Sequence, residues 1–174
     1  MPTSKEYVIQ FAGLSPGEHL FELHVNDKFF ENLDYSEIKQ GNILVKLTLL
    51  KQSSMMVLHF DIGGTVKVNC DRCAAEFDMP ISGNYKLTVK VGGTQEENED
   101  DDIITIAANE HKLDVSQYLY EYIALSLPIK HQHADESQCD KEILEKLDDF
   151  IIDENKEEEP IDPRWDVLKN IKLN

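Results

Sequence analysis

The chain has 174 residues, 41% hydrophobic and 29% charged, enough for one hydrophobic core with a small appendage and too few for two full enzyme domains. Asp and Glu number 34 against 17 Lys and Arg, a formal net charge of −17 at pH 7. That balance argues against bare phosphate backbone as the first partner, because nucleic-acid affinity rests on Lys and Arg displacing counterions; a basic protein partner suits it better.

The first hundred residues are written in strand language. Residues 7–12 (YVIQFA), 20–25 (LFELHV) and 43–50 (ILVKLTLL) are short apolar runs bounded by Gly, Pro, Asn and Asp. Residues 55–62 and 65–69 flank Gly63-Gly64, which predicts a tight hairpin, since both turn residues can take positive φ. Tyr85, Leu87, Val89 and Val91 alternate with Lys86, Thr88 and Lys90, the pattern of a strand with one buried face. The acidic run 96–102 (EENEDDD) reads as a solvated loop, and Ile103 to Ala107 as a further short strand.

Helix language begins at Asp114. Val115, Tyr118, Leu119, Tyr122 and Ile123 share one helical face, Asp114 and Gln117 have capping-box spacing, and Pro128 blocks continuation. Tyr118 and Tyr122 fit the packing stripe better than a base-stacking platform, while Tyr120 points elsewhere. A second helix after Asp140 is expected to bury Ile143, Leu144, Leu147, Phe150 and Ile151. The run 153–162 (DENKEEEPID) reads as an exposed linker, and Pro163, Trp165, Leu168 and Ile171 as a short terminal helix that docks by its tryptophan. The predicted class is α+β: an antiparallel, strand-rich N-terminal two-thirds that could curl into a barrel, with two or three C-terminal helices packed on it. One domain spans 1–152, with strands at about 5–107 and helices at about 115–127 and 141–152, followed by the linker and a docking helix at 163–174.

The sharpest chemical feature is Cys70-Asp71-Arg72-Cys73 at the end of a strand. Such a C-x-x-C pair lets two thiolates converge on one tetrahedral ion, and the missing half can come from the interhelical loop with His131, His133 and Cys139. Imidazole and thiolate donors suit zinc, giving the candidate set Cys70, Cys73, His133 and Cys139, with His133 preferred to His131 because it is nearer Cys139. A closed set of four would be structural, since catalytic zinc keeps an open position. Two other readings stand beside it: reduced thiols without metal, and thiol redox chemistry. Redox ranks last, because a thioredoxin-type pair needs a helix N-terminus and this one sits among strands. Three cysteines are an odd number, which speaks against a disulfide framework. No apolar run approaches the roughly 20 residues of a membrane span, and the start MPTSKEYVIQFAGL lacks the features of a signal peptide, so a cytoplasmic location is expected. Phosphate-binding glycine loops, G-x-S-x-G and H-E-x-x-H are absent, which argues against an enzyme.

The runs HFDIGGTVKVNCDRCAAEFDMPISGNYKLTV (59–89), LPIKHQHADESQCDKEILEKL (127–147) and DPRWDVLKNIK (162–172) together resemble the YceD family, the large ribosomal RNA subunit accumulation proteins. The resemblance implies a non-catalytic ribosome-biogenesis role. Cys70 and Cys73 match the family's cysteine pair, and Pro163, Arg164 and Trp165 its terminal motif; His131, His133 and Cys139 stand where other members carry a second cysteine cluster. Joined to the acidity, the resemblance implies action through a basic ribosomal protein or a large-subunit assembly intermediate, with Arg164 and Trp165 as partner-binding residues and ribosomal RNA reached indirectly. A local basic patch of Lys86, Lys90 and Arg164 is a second route to that contact. No membrane and no small-molecule substrate are expected, and the alternative function is a thiol redox or metal-handling protein using Cys70 and Cys73.

Overall fold

Five strands, four of them with alternating burial, form the scaffold of the protein in the computed structural model, which describes residues 5–33, 35–92 and 102–150. After a 3-10 turn at Lys5–Tyr7, the chain runs β1 (Val8–Ile9), β2 (Gly17–Val25), α1 (Asp27–Glu31), β3 (Gly41–Lys51), β4 (Met55–Asn69), β5 (Glu76–Val91), β6 (Ile103–Ile106), β7 (Leu113–Asp114), α2 (Ser116–Leu125) and α3 (Lys141–Phe150). The main sheet has the order β2-β3-β4-β5-β6, and β1 pairs with β7 in a separate two-stranded ribbon. It is an open sheet, flanked by helices, of α+β class.

Period-two sequence becomes two chemically distinct faces. Ile43, Val45, Leu47 and Leu49 of β3, Met56, Leu58, Phe60 and Ile62 of β4, and Leu87 and Val89 of β5 are buried on one side. Phe29 and Phe30 of α1, and Leu119, Tyr122 and Ile123 of α2, join the same core. Full burial of each such side chain contributes about 1.5–3 kcal/mol, which is what holds α2 against the sheet. Lys46, His59, Lys86 and Lys90 lie exposed on the opposite face. Tyr122 stacks flat on Tyr85 at a centroid distance of 4.6 Å, while Tyr120 meets Tyr35 edge-on at 5.3 Å, which accounts for both tyrosines as packing groups.

Four features differ from the expectations above. Gly63-Gly64 makes no hairpin: β4 runs through it without a break, with Gly63 opposite Leu44 and Ser82, and Gly64 opposite Ile43 and Ile81. The glycine is required by approach rather than by a turn, since a Cβ on Gly64 would collide with the Asn42 carbonyl and lie 2.7 Å from Ile43 Cα. The second difference is that β6 pairs parallel to β5, Thr88 opposite Ile103, so the sheet is mixed. This pairing covers only Thr88 to Val91, leaving Pro80 on a stretch of β5 with one neighbour among the described residues, where a missing backbone donor is tolerated.

Helix α2 begins one residue later than a cap at Asp114 would give. Asp114 Oδ1 accepts from the Ser116 backbone N–H at 2.9 Å, but Gln117 makes no capping box: it donates to Glu121 and accepts from the Tyr35 hydroxyl. Finally, α3 buries none of its residues: Ile143 and Leu144 are half-buried, Leu147 is 41% exposed and Phe150 81% exposed. The stripe exists, but among the described residues α3 packs only its first turn. Ile151, the linker 153–162 and the docking helix 163–174 lie outside the described residues, as does the acidic run except Asp102. No helix among the described residues is long and apolar enough to cross a membrane.

Candidate metal centre

The real hairpin of this region is β4–β5, and its turn is the cysteine motif. Asn69 pairs with Glu76, so Cys70 to Ala75 form the connection. The Cys70 N–H donates to the Ala75 carbonyl at 2.9 Å, and the Ala74 N–H to the Cys70 carbonyl at 2.8 Å. This tight reversal places Ala74 at φ 57°, a left-handed conformation that an L-residue with a Cβ adopts at a cost of roughly 1–2 kcal/mol. Strand β3 pairs with β4 only as far as Val66, so the tip projects beyond it toward the loop between α2 and α3.

That loop is fastened to the tip by reciprocal bonds. The Asp71 N–H donates to the His131 carbonyl and the His131 N–H to Asp71 Oδ2, each at 2.7 Å. His131 therefore serves the joint through its backbone. Two residues on, the His133 ring lies against Phe77 of β5, centroids 4.4 Å apart, and turns Nδ1 toward Cys139 Sγ at 3.5 Å and Cys73 Sγ at 3.8 Å. Cys139 is presented by a short 3-10 turn, Glu136–Gln138, which Asp135 caps by accepting from the Ser137 N–H at 2.8 Å.

The fold thus gathers Cys70, Cys73, His133 and Cys139, whose ligand atoms all lie within 4.8 Å of one another. Tetrahedral Zn–S bonds of about 2.3 Å put sulfurs roughly 3.8 Å apart, so a small contraction would close the set on an ion. The cysteines are 2%, 2% and 5% exposed in chain order, and all three are free thiols. Ala75, Phe77, Ile143 and Leu144 wall them in as a cluster separate from the main core. Three buried thiols and a half-buried imidazole, mutually crowded, fit a closed zinc site by donor type and number.

The electrostatics are uneven. Burial pushes the Cys70 thiol up, but the backbone N–H groups of Cys73, His133 and Arg72, together with the Cys73 thiol, outweigh it and bring it down to about 6. Burial, followed by the neighbouring Cys73 and Cys70 sulfurs, holds the Cys139 thiol up at about 11. Among the described residues the Cys70–Cys73 segment starts no helix but connects β4 to β5, so it lacks the helix-dipole activation of a thioredoxin-type pair.

Two contributors lie outside the predicted ligand set, Asp71 without a role expected from sequence and Arg72 expected only as a cation able to stabilise a thiolate. Asp71 clamps the loop, and Arg72 reaches over it, both marked in sequence by lying inside the C-x-x-C. Lys86 and Lys90 lie exposed on one face of β5, whereas Arg164 and Trp165 lie outside the described residues.

No curated protein and no solved structure matches the chain. The family model described as large ribosomal RNA subunit accumulation protein YceD matches residues 58–172, from the first part of β4 through the cysteine hairpin, the His-containing loop and the terminal motif. With about two-thirds of its length covered by that match, the chain belongs to the YceD family of large ribosomal RNA subunit accumulation proteins.

Proposed function

We propose that the protein is a non-catalytic, cytoplasmic ribosome-biogenesis factor that supports accumulation of large-subunit ribosomal RNA by binding a basic ribosomal protein or an assembly intermediate. Membership of the family carries the role. The mode of action rests on charge: at −17, the chain repels a phosphate backbone and attracts a basic protein. Arg164 and Trp165 of the terminal motif are the partner-binding residues in this reading, and Cys70, Cys73, His133 and Cys139 hold one structural zinc ion that fastens the hairpin tip to the interhelical loop.

Tagged protein should capture large-subunit precursor particles at low salt, release them on a high-salt wash, and show no binding to naked ribosomal RNA. Trp165→Ala should abolish capture without altering the fold. Tight, sequence-specific binding to naked RNA at physiological salt would overturn the protein-mediated mode. For the zinc, native mass spectrometry should find one ion per chain, retained in His131→Ala and lost or strongly weakened in Cys139→Ser and His133→Ala. The competing reading, thiol redox or metal handling, draws on the low thiol pKa of Cys70 and predicts instead a reversible Cys70–Cys73 disulfide in metal-free protein as purified.

A further inference from the structure

A zinc ion held by three thiolates and a neutral imidazole carries a formal charge of −1, because two positive charges meet three negative ones. Here that charge would lie in a nearly dry cluster of a chain already at −17. A buried, uncompensated anion is costly and attracts protons, the ordinary route by which thiolate-bound zinc is lost.

The structure sets one guanidinium against this centre. Arg72 lies between the two cysteines of the turn, and its side chain is 29% exposed. Nη1 approaches Cys139 Sγ at 4.0 Å, and Nη2 donates to Gln132 Oε1 at 3.4 Å. Arg72 thus starts on the hairpin tip and ends on the opposite loop, beside the Cys139 sulfur. Its other contact, with Glu136, spans 3.8 Å to a side chain 69% exposed, the kind of surface pair that contributes little. The guanidinium is therefore not committed to Glu136.

We infer that Arg72 is the charge-compensating and positioning residue of the metal centre: its guanidinium neutralises the three-thiolate site at Cys139 and latches the loop over the ion. The inference rests on the zinc reading above. Outer-shell partners of this kind alter metal affinity by about 10–100-fold. A lysine would supply the charge as a point, without the planar fork that reaches sulfur and amide together, so it should restore part of the effect.

The test compares wild type with Arg72→Ala, Arg72→Gln, Arg72→Lys and Glu136→Gln, all full length. Zinc affinity is read by competition with a chromophoric chelator, and the ligand set by the absorption of the cobalt-substituted protein. Arg72→Ala and Arg72→Gln should bind zinc about 10–100-fold more weakly and release it faster, with unshifted cobalt bands that report an intact ligand set. Arg72→Lys should lie between them and wild type, and Glu136→Gln should match wild type. Wild-type affinity in Arg72→Ala, or equal losses in Arg72→Lys and Arg72→Gln, would overturn charge compensation while leaving the zinc site standing. A wild-type protein that takes up neither zinc nor cobalt would overturn both.

Discussion

Cys70 and Cys139 face the same small volume but are prepared for it in opposite ways. Cys70 sits inside the turn, where backbone N–H groups at fixed positions stabilise its thiolate at no cost in reorganisation, and its pKa falls to about 6. Cys139 arrives from the far loop, buried and beside two other sulfurs, and its pKa rises to about 11. Near neutrality one ligand is therefore ready and another still carries its proton. Zinc can enter only by displacing that proton, so binding should release protons and tighten as pH rises. Each proton released changes affinity about tenfold per pH unit, and between pH 6 and 8 at least one is released, that of the Cys139 thiol. Below about pH 6 the Cys70 thiolate is protonated as well, so the slope should steepen on the acid side. Chelator competition at a series of pH values, with proton release followed in weak buffer, checks this; an affinity flat from pH 6 to 8 would contradict it. Residue types and spacing carry the ligand set in the sequence, but these unequal preparations are invisible there, because they depend on the conformation of the turn and on its meeting His133 and Cys139 of the distant loop.

At the level of elements, alternation made β2, β3 and the second half of β5 readable, since period-two burial is a local pattern. Gly63-Gly64 predicts a turn for an equally local reason, yet β4 runs through it unbroken. A glycine pair marks either a reversal or a place where two backbones come close, and only the tertiary structure distinguishes them. The two glycines differ from each other in a testable way. A Cβ on Gly63 meets nothing within 4 Å, whereas one on Gly64 meets the backbone of Asn42 and Ile43. Gly63→Ala should be close to neutral, within about 1 kcal/mol, because a compatible Gly→Ala change mainly reduces unfolded-state entropy. Gly64→Ala should cost about 1–3 kcal/mol, because β3 must move away and loosen Ile43 in the core. Urea denaturation of the two variants makes the comparison, and equal midpoints would show that the close approach is not what constrains position 64. The burial expected along α3 is not seen for a related reason: amphipathicity fixes which face is apolar, not what lies against it, and among the described residues only Ile143 and Leu144 find a partner, the sulfur cluster.

The described residues form two centres of cohesion joined by one long hairpin. The main core draws on β1 through β5, α1, β7 and α2, and none of the three cysteines belongs to it. The second centre is the cysteine cluster with Ala75, Phe77, Ile143 and Leu144, too small to hold the loop and α3 by apolar burial alone. Phe77 touches both clusters and so marks the seam between them. If zinc supplies the missing cohesion, removing it should loosen one end of the protein and leave the other folded. The outcome expected with a strong chelator is faster amide hydrogen exchange at residues 70–75 and 130–150, with β3 and the first half of β4 still protected. Far-UV circular dichroism would keep most of its strand signal and lose helix, since α3 has no other support among the described residues. Loss of protection throughout the sheet would mean that the centre stabilises the entire domain, as in small zinc folds that are unfolded without metal. Unchanged exchange at 130–150 would mean that apolar contacts and the paired Asp71–His131 bonds suffice without an ion. The first outcome gives the family's function a physical handle: a rigid sheet carrying a metal-fastened tip, whose attachment can be removed without destroying the scaffold.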